Sequence, residues 1–290
     1  MEKFGNFPFG EEHMAIITIS REFGSGGGNI ARKLSNDLGY SFLDKDSLGE
    51  ILTNYGFTRN KIDKYDEKRP PFWDIFTSDR EKYLSYMKLA IFEFAREGSG
   101  IILGRGASIL LRGLSGCLHV RIIAPPEKCR EQVKKAYNIN DQQAEQLIRT
   151  NHHDRAGFYK FFFDCAWDSP LLYDILINTG SFSEERAARI IEEEVRHLDS
   201  RENREESLSS LKDRYLGQKI STSLLFEKHL AVNFLSVEVS AGHVILEGSS
   251  PAREIIEQCT SECVKIPGVT EVENKIAVVT AYPVSYTPYY

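Results

Sequence analysis

The feature that most constrains the fold is the segment ITISREFGSGGGNIARKLSNDLGYSFLDKD, residues 17–46. It begins with a short, apolar, β-branched run, which is typical of a fully buried parallel strand. A glycine-rich turn follows, then a predicted helix from Asn29 to Leu38 that Gly39 closes as a C-terminal cap. A second short strand ends at Asp44. Phosphate-binding loops are usually built in this order.

The glycine turn itself allows two interpretations. A turn of this composition lets backbone N–H groups converge on an anion and directs the positive end of the next helix at that anion. Side chains at Gly24, Gly26, Gly27 and Gly28 would block such a close approach. The alternative is a tight turn without a ligand. The buried strand before the turn favours phosphate binding.

Strands and helices continue to alternate along the next 150 residues. Apolar runs predict strands at 101–103, 118–124 and 173–178, and helical spacing predicts helices at 80–96, 127–137, from 141 onward, and at 184–197. This alternation predicts an α/β fold with a parallel sheet that helices cover on both faces. The segment 55–79 is polar and contains Pro70 and Pro71, so we expect an excursion from the core there.

The pattern changes after the highly charged stretch LDSRENREE, residues 198–206, which reads as a solvated helix extension or a linker. A helix at 211–230, strands at 236–239 and 244–247, a helix at 251–264 and a strand at 276–279 then predict a small α+β module. The predicted organisation is an extension at 1–13, an α/β domain at 14–198, a linker at 199–209, the module at 210–281 and a tail at 282–290.

Composition narrows the class of protein. The formal net charge of −6 over 290 residues argues against a general nucleic-acid binder. No apolar run approaches the roughly 18 residues that a membrane helix needs, and residues 1–14 lack the cationic start and apolar core of a secretory signal. The five cysteines are odd in number and scattered, which suits free thiols. We therefore expect a cytoplasmic protein.

Several blocks together make the first domain recognisable. Residues 17–46, IILGRGASILL, CLHVRIIAPPEKCR and DRAGFYKFFFDCAWDSPLLYDILINTG occur in this order within residues 14–197. They resemble the cytidylate kinase-like family, within the P-loop nucleoside monophosphate kinase fold. Enzymes of this fold transfer the terminal phosphoryl group of ATP to a nucleoside monophosphate. The resemblance therefore implies ATP and Mg²⁺ as cofactors and an acceptor such as CMP.

Phosphoryl transfer needs cations that neutralise phosphate charge, and the forked guanidinium group of arginine suits that task. The resemblance implies catalytic roles for Arg21 before the loop, Arg105 at the acceptor phosphate and Arg155 in the lid-like segment. It also implies nucleotide or phosphate contacts for Gly24, Ser25, Gly26, Gly27, Gly28, Asn29, Asp44 and Arg149. Asp44 could instead order magnesium waters or cap a helix. No residue is assigned as a direct metal ligand.

The chain departs from the family pattern at several charged positions of the glycine loop, the lid and the third strand. The usual loop lysine aligns with Gly27, its hydroxyl with Asn29, and an arginine that many members carry is Gly28 here. His152 stands where the lid usually has an aspartate; it and His153 might be metal ligands, but adjacent histidines point apart on a helix, so we expect both to be exposed lid residues. No acidic residue ends the third strand to hold magnesium. Losing one phosphate-contacting cation commonly costs several kcal/mol of transition-state stabilisation. Arg21 could substitute for the lysine by reaching across the loop.

The C-terminal module carries its own resemblance. Residues 234–279 look like a BON domain, with a G-x-V-x-L-x-G strand pair from Gly242 to Gly248 and a turn motif from Ile266 to Asn274. The glycines and Asn274 read as turn residues, so the motif is structural and names no catalytic group. BON domains are usually linked to membrane-surface, lipid or protein contacts. Without an export signal, a cytoplasmic regulatory or interaction role is the preferred interpretation.

Two hypotheses of function follow from the sequence. In the first, the chain is an ATP-dependent kinase that lacks the loop lysine and acts on a cytidylate-like acceptor. In the second, it is a non-enzymatic nucleotide or phosphate sensor that signals through the BON-like module. The arginines retained in separate blocks favour the kinase, and the departures in the loop and lid favour the sensor.

Overall fold

A computed structural model describes residues 15–65, 78–198 and 201–279 of the 290-residue chain, except for the side chains of residues 78 and 201–204. The chain divides into two compact units between Leu208 and Ser209. Every helix in the described ranges is too short or too polar to cross a lipid bilayer.

The first unit alternates strands and helices as predicted. Its strands are β1 (Ile16–Arg21), β2 (Ser41–Leu43), β3 (Gly100–Leu103), β4 (Cys117–Ile123) and β5 (Ile175–Asn178). Its helices are α1 (Gly27–Leu38), α2 (Lys45–Asn54), α3 (Arg59–Tyr65), α4 (Ser78–Ala95), α5 (Ala107–Leu110), α6 (Pro126–Tyr137), α7 (Asp141–Phe163) and α8 (Glu184–Leu198).

The five strands form one parallel sheet in the order β2-β3-β1-β4-β5. All residues from Ile16 to Ser20 in the central strand are buried, so both faces of the sheet are covered at its centre. The predicted α/β fold with a parallel sheet is confirmed. Because all strands run the same way, their carboxyl ends meet at one edge, where α/β sheets usually bind ligands.

Apolar packing places α1 at that edge. Ile17 and Ile19 of β1 share a core with Ile30 and Leu34 of α1 and with Ile191 of α8. The three-and-four spacing of the apolar residues on α1 predicts this contact face. The helix is therefore held against the sheet, and its N-terminus is fixed just beyond the end of β1.

The segment between β2 and α4 contains more helix than the sequence predicted. The expected polar excursion at 55–79 begins with α3, because Ile62 and Tyr65 are three residues apart and both buried. Two apolar anchors on one short helix are too few to stand out from a polar pattern. Residues 66–77, which include Pro70 and Pro71, lie outside the described part of the chain.

The second unit contains the part of α9 (Arg201–Thr222) from Ser209 onward, followed by β6 (Asn233–Ser240), β7 (His243–Ser250), α10 (Arg253–Cys263) and β8 (Glu271–Val278). The helix α9 includes much of the predicted charged linker at 199–209. The sheet order is β6-β7-β8, with β6 antiparallel and β8 parallel to β7. The predicted small α+β module is confirmed, although β6 and β8 each extend farther than the apolar pattern indicated.

Asn274 has a different structural role from the one its motif suggested. It lies within β8, where its amide nitrogen donates to the backbone oxygen of Ile256 (2.9 Å) and to the hydroxyl of Thr260 (2.9 Å) on α10. Its reading as a turn residue was therefore wrong. The side chain of this half-buried residue instead ties the helix to the parallel strand through hydrogen bonds that satisfy its amide group.

Candidate phosphate-binding site

The glycine loop joins the end of β1 to the start of α1. Gly26 is the N-cap of α1 and adopts the left-handed conformation, with φ of 82°, which suits a residue without a β-carbon. Gly27 and Gly28 form the first turn of the helix, where backbone N–H groups have no intrahelical partner. The loop therefore presents N–H groups and the positive end of a helix, the combination that binds phosphate.

Two of the loop glycines are required by close packing. A β-carbon on Gly24 would lie 2.5 Å from the backbone oxygen of Cys129 on α6. A β-carbon on Gly27 would lie 2.6 Å from Cβ of Arg21 and 3.1 Å from its Cγ. The side chain of Arg21 thus passes over the position where the usual loop lysine would begin.

Ser25 makes hydrogen bonds within the protein and is not exposed on the surface of the loop. The residue is fully buried, and its hydroxyl donates to the backbone oxygen of Glu22 (2.9 Å). Its own backbone oxygen accepts a hydrogen bond from the hydroxyl of Thr179, at 2.8 Å, just after β5. Ser25 therefore fixes the loop's shape, and its predicted contact with a ligand stays a prediction.

A cleft of about 410 Å³ opens in front of the loop, a size typical of small-molecule sites. Several residues with predicted catalytic or nucleotide-binding roles line the cleft: Arg21, Gly24, Gly26, Gly27, Gly28, Asn29 and Arg155. Its remaining described lining consists of Glu22, Phe23, Arg32, Leu103, Gln132, Val133, Ala136 and Tyr137.

The three arginines with predicted catalytic roles lie together. Nη1 of Arg155 donates a 2.6 Å hydrogen bond to the backbone oxygen of Arg21, across 134 residues of sequence. Burial, followed by the positive charges of Arg21 and Arg155, lowers the pKa of Arg105 to about 9, while the carboxylate of Asp44 acts in the opposite direction. Like charges so close together create a positive potential that an anionic ligand would relieve.

Arg105 itself is covered. Its exposed fraction is 2%, its backbone has φ of 61°, and it is absent from the described lining of the cleft. The ring of Phe163, at the end of α7, occupies the space that a β-carbon on Gly106 would need. The end of α7 therefore packs against the turn after β3, and the burial of Arg105 leaves almost none of its side chain open to a ligand in this conformation.

Asp44 and Arg149 do not reach the described cleft lining. Asp44 is the N-cap of α2, where its Oδ1 accepts from the backbone nitrogens of Asp46 (3.0 Å) and Ser47 (3.2 Å). The capping alternative is therefore realised, although the carboxylate also raises the pKa of Arg105. Arg149 is exposed on α7. Their predicted nucleotide contacts stay predictions.

Glu22 is a carboxylate that sequence reasoning missed. It lines the cleft directly after β1, and its Oε2 accepts from the backbone nitrogen of Ala124 (3.2 Å). Its Oε1 lies 3.9 Å from Nη2 of the buried Arg121. The third strand of this chain ends without the acidic residue of the family pattern, whereas Glu22 directly follows the first strand. The Ser-Arg-Glu order before the glycines was the signal that could have revealed it.

The donor set fits Mg²⁺ in its usual protein setting. Magnesium keeps several waters and takes one or two carboxylates in addition to substrate phosphates. Glu22 supplies one such carboxylate beside the glycine loop, within the described cleft lining. It is the residue that would hold the ion or its waters.

Arg32 is a second missed residue. It is exposed on α1, lines the cleft, and has its Nη1 3.8 Å from the position of a β-carbon on Gly28. No ion pair or hydrogen bond to its side chain occurs among the described residues. Its place on a polar helix face made it look like an ordinary solvated side chain, and only the fold shows that this face borders the loop.

His152 is more enclosed than its place in a lid suggested. The ring is half-buried against Trp167, with centroids 5.7 Å apart, whereas His153 is exposed. Burial lowers the pKa of His152 and outweighs the nearby carboxylate of Glu22, which raises it. The expectation of two exposed histidines was wrong for His152.

Comparisons with known proteins agree with this architecture. The model of the cytidylate kinase-like family matches residues 16–181, and that of the BON domain matches residues 212–280. A cytidylate kinase of Methanothrix thermoacetophila is 26% identical over 184 residues, covering 63% of this chain and 99% of the relative. A cytidylate kinase of Pyrococcus horikoshii is 24% identical and covers 63% of this chain and 90% of the relative.

One solved structure shows the same fold for the first unit. It is an uncharacterised protein from Eubacterium ventriosum, with a TM-score of 0.51 and 22% identity. The match covers 64% of this chain and 99% of that protein.

Proposed function

Because this chain belongs to the cytidylate kinase-like family, we propose that it transfers the γ-phosphoryl group of ATP to a nucleoside monophosphate such as CMP. The observation that carries the proposal is the cluster of Arg21, Arg105 and Arg155 beside the open glycine loop. A buried concentration of positive charge next to unpaired N–H groups fits a polyphosphate. The relatives named as cytidylate kinases support CMP as the first acceptor to test.

Each cation in the cleft has a distinct part in this proposal. Glycine-loop N–H groups hold the donor phosphates, while Arg21 occupies the place of the missing lysine above Gly27. Arg155, on α7, bonds to the backbone oxygen of Arg21 and stabilises the negative charge on the phosphoryl group during its transfer. Arg32 adds a further positive charge at the mouth. When bound beside Glu22, Mg²⁺ would neutralise charge on the donor phosphates.

The covered position of Arg105 adds a requirement. For Arg105 to hold the acceptor phosphate, the residues packed around its side chain must move and expose its guanidinium group. Binding of the acceptor would supply the free energy for that movement, since the phosphate offers the buried guanidinium group an anionic partner.

A coupled assay of ADP release with ATP, Mg²⁺ and a panel of nucleoside monophosphates tests the activity. We expect turnover with CMP or dCMP, and we expect Arg105→Ala to weaken acceptor binding more than ATP binding. Equal loss of both would mean that Arg105 has another role. Nucleotide binding without turnover of any acceptor would contradict the kinase.

One observation favours a second candidate, a nucleotide or phosphate sensor of weak or no activity. The exposed fraction of Arg105 is only 2%, so the acceptor side is closed in this conformation while the donor cleft is open. A protein that only binds a donor nucleotide needs no accessible acceptor site. Absence of turnover together with tight ATP binding would support this alternative.

For the C-terminal unit we propose a regulatory or interaction role through protein or membrane-surface contact, in the cytoplasm. Phe234 at the start of β6 is 95% exposed, and large exposed aromatic rings are common in binding surfaces. The five free cysteines suit a reducing compartment. Loss of membrane or partner capture in Phe234→Ser, with unchanged folding, would support this role.

A further inference from the structure

A buried arginine lies beside the carboxylate of the cleft. Arg121 is on β4, its exposed fraction is 3%, and it is absent from the described lining of the cleft. Its Nη2 lies 3.9 Å from Oε1 of Glu22, which is the one carboxylate it pairs with among the described residues. Glu22 therefore lines the open cleft and at the same time neighbours a buried positive charge.

The guanidinium group of Arg121 is held by contacts that do not involve Glu22. Its Nη1 donates to the backbone oxygen of Trp167 (2.8 Å), and its Cζ lies 4.2 Å from the centre of the Trp167 ring. The ring of Tyr173 is 5.5 Å from the same Cζ, and the Tyr173 hydroxyl donates to the same Trp167 oxygen at 2.6 Å. A planar guanidinium group suits such stacking on aromatic rings. Packing therefore keeps the positive charge in place.

The pair between Arg121 and Glu22 is electrostatic. At 3.9 Å, Nη2 and Oε1 are too far apart for a hydrogen bond. The other Glu22 oxygen accepts from the backbone nitrogen of Ala124 (3.2 Å), and the Glu22 side chain keeps 24% of its surface exposed. Arg121 therefore neutralises the carboxylate without covering the part of it that lines the cleft.

This neutralisation changes what the cleft attracts. The other charged residues of its described lining, Arg21, Arg32 and Arg155, are all positive. Glu22 is the one negative charge in that lining, and Arg121 offsets it from the buried side. A bare divalent cation would therefore meet net repulsion in the cleft. A metal ion already bound to a polyphosphate carries a net negative charge and would meet net attraction.

We propose that Arg121 is the internal counter-ion of Glu22, so that the cleft takes Mg²⁺ only together with a polyphosphate and excludes the bare ion. Arg121 is a positioning residue in this sense: it lies outside the cleft lining and acts on the metal through Glu22. The inference rests on the proposed function only in that it places the metal–polyphosphate complex at the glycine loop and Glu22.

Two binding measurements on the full chain test this inference without any reaction. Titration with Mn²⁺ alone, in place of Mg²⁺, is followed by the electron paramagnetic resonance signal of the unbound ion. Isothermal titration calorimetry follows binding of the preformed complex of Mn²⁺ with inorganic tripolyphosphate.

The variants separate the charge of Arg121 from its packing. Arg121→Gln removes the charge and keeps a donor for the Trp167 oxygen, whereas Arg121→Lys keeps the charge. Glu22→Gln, alone and combined with Arg121→Gln, identifies the binding that depends on the carboxylate. Lys135→Gln controls for net charge, because Lys135 is exposed on α6 and outside the described cleft lining. The Tm of every variant is measured in parallel.

The two ligands should respond to Arg121→Gln in opposite directions. Mn²⁺ alone should bind about tenfold more tightly, because a positive charge close to the carboxylate is lost. The Mn²⁺–tripolyphosphate complex should bind about threefold more weakly, because its net charge is negative. Adding Glu22→Gln should abolish the gain in Mn²⁺ affinity, and Arg121→Lys and Lys135→Gln should behave like the wild type.

Weaker binding of both ligands to Arg121→Gln would overturn the inference, since loss of a purely structural residue impairs both. If Arg121→Gln does not fold, Glu22→Gln alone still decides. It should leave binding of Mn²⁺ alone within about twofold of the wild type and weaken binding of the complex by about tenfold, because one carboxylate acts together with the phosphates. A Glu22-dependent site for Mn²⁺ alone in the wild type would contradict the counter-ion.

The inference and the proposed function can fail separately. Opposite responses of the two ligands, without turnover of any acceptor, would support the counter-ion and contradict the kinase. Turnover of an acceptor, with the Mn²⁺ affinity of Arg121→Gln equal to that of the wild type, would do the reverse. No binding of the Mn²⁺–tripolyphosphate complex to the wild type would overturn both.

Discussion

Nη1 of Arg155 donates a 2.6 Å hydrogen bond to the backbone carbonyl oxygen of Arg21. This bond joins the middle of α7 to the last residue of β1, just before the glycine loop. Arg155 is itself buried but still lines the cleft. The position of the lid-like helix and the position of the loop cation are therefore coupled through one guanidinium group.

Removing that group should reduce activity more than stability. We expect Arg155→Gln to lower kcat/KM by about a hundredfold, because one preorganised donor to a transition state contributes on that scale. Arg149→Gln is the matched control, since Arg149 is exposed on the same helix and outside the described cleft lining. Steady-state kinetics would check both variants. Equal losses of kcat/KM in the two variants would show that the positive charge of α7 as a whole, and not Arg155 in particular, supports the reaction.

The two neighbouring loop glycines should respond differently to alanine. At Gly27 a β-carbon would come within 2.6 Å of Cβ of Arg21, so Gly27→Ala should cost about 1–3 kcal/mol of unfolding free energy and displace Arg21. At Gly28 the nearest atom is Nη1 of Arg32, 3.8 Å away. Gly28→Ala should therefore be neutral or stabilising by up to about 1 kcal/mol, because alanine favours a helix.

Denaturant unfolding of both glycine variants, with ATP affinity measured in parallel, checks this contrast. If Gly27→Ala were as stable as Gly28→Ala, the side chain of Arg21 would have to leave its place over the loop freely. That result would contradict the proposal that Arg21 takes the place of the missing loop lysine.

Arg32 should contribute to donor binding through its charge. We expect Arg32→Gln to weaken binding of ATP and of tripolyphosphate by about three- to tenfold at low salt, and by less at high salt, since exposed charges are screened. Lys33→Gln is the control: Lys33 is the next residue on α1 and pairs with Asp37 at 3.0 Å. An equal effect of the two variants would mean that only net charge matters.

The buried charge of Arg105 should lower stability at neutral pH. Its pKa in the folded protein is about 9, well below the ordinary range of an arginine, so the folded state holds the proton more weakly than the unfolded chain. The cost of the charge is therefore fully present below about pH 9, and this contribution to stability rises as the pH increases above that value. At pH 7 we expect Arg105→Met to raise the Tm of the ligand-free protein by about 2–4 °C.

Thermal unfolding at pH 7 and pH 10 checks that expectation, and the gap between wild type and Arg105→Met should narrow at the higher pH. Arg189→Met, at an exposed position on α8, should leave the Tm nearly unchanged. A Tm several degrees lower for Arg105→Met at pH 7 would mean that the partners of Arg105 fully compensate its burial.

Local patterns in the sequence were sufficient for the strands of the first unit, for its longer helices α1, α4, α6, α7 and α8, and for the parallel sheet type, but they did not reveal α2, α3 or α5. The apolar β-branched runs that became β1, β3 and β4 are short and uninterrupted because both faces of the sheet are covered. The resemblance to cytidylate kinases also located the arginines that meet at the glycine loop. The short helix α3 was not predicted because its two buried residues are too few to reveal a helical period of apolar residues.

The sequence by itself determined the order of elements, the glycine loop and the two-unit organisation, since these depend on residues close together along the chain. Only the tertiary structure decided which charges share the cleft. It brings Arg155 of α7 to the backbone oxygen of Arg21, places Tyr137 of α6 against Phe23 of the loop and packs Phe163 of α7 beside Gly106. Those relations join residues far apart in sequence, and they depend on packing between elements that no local pattern records.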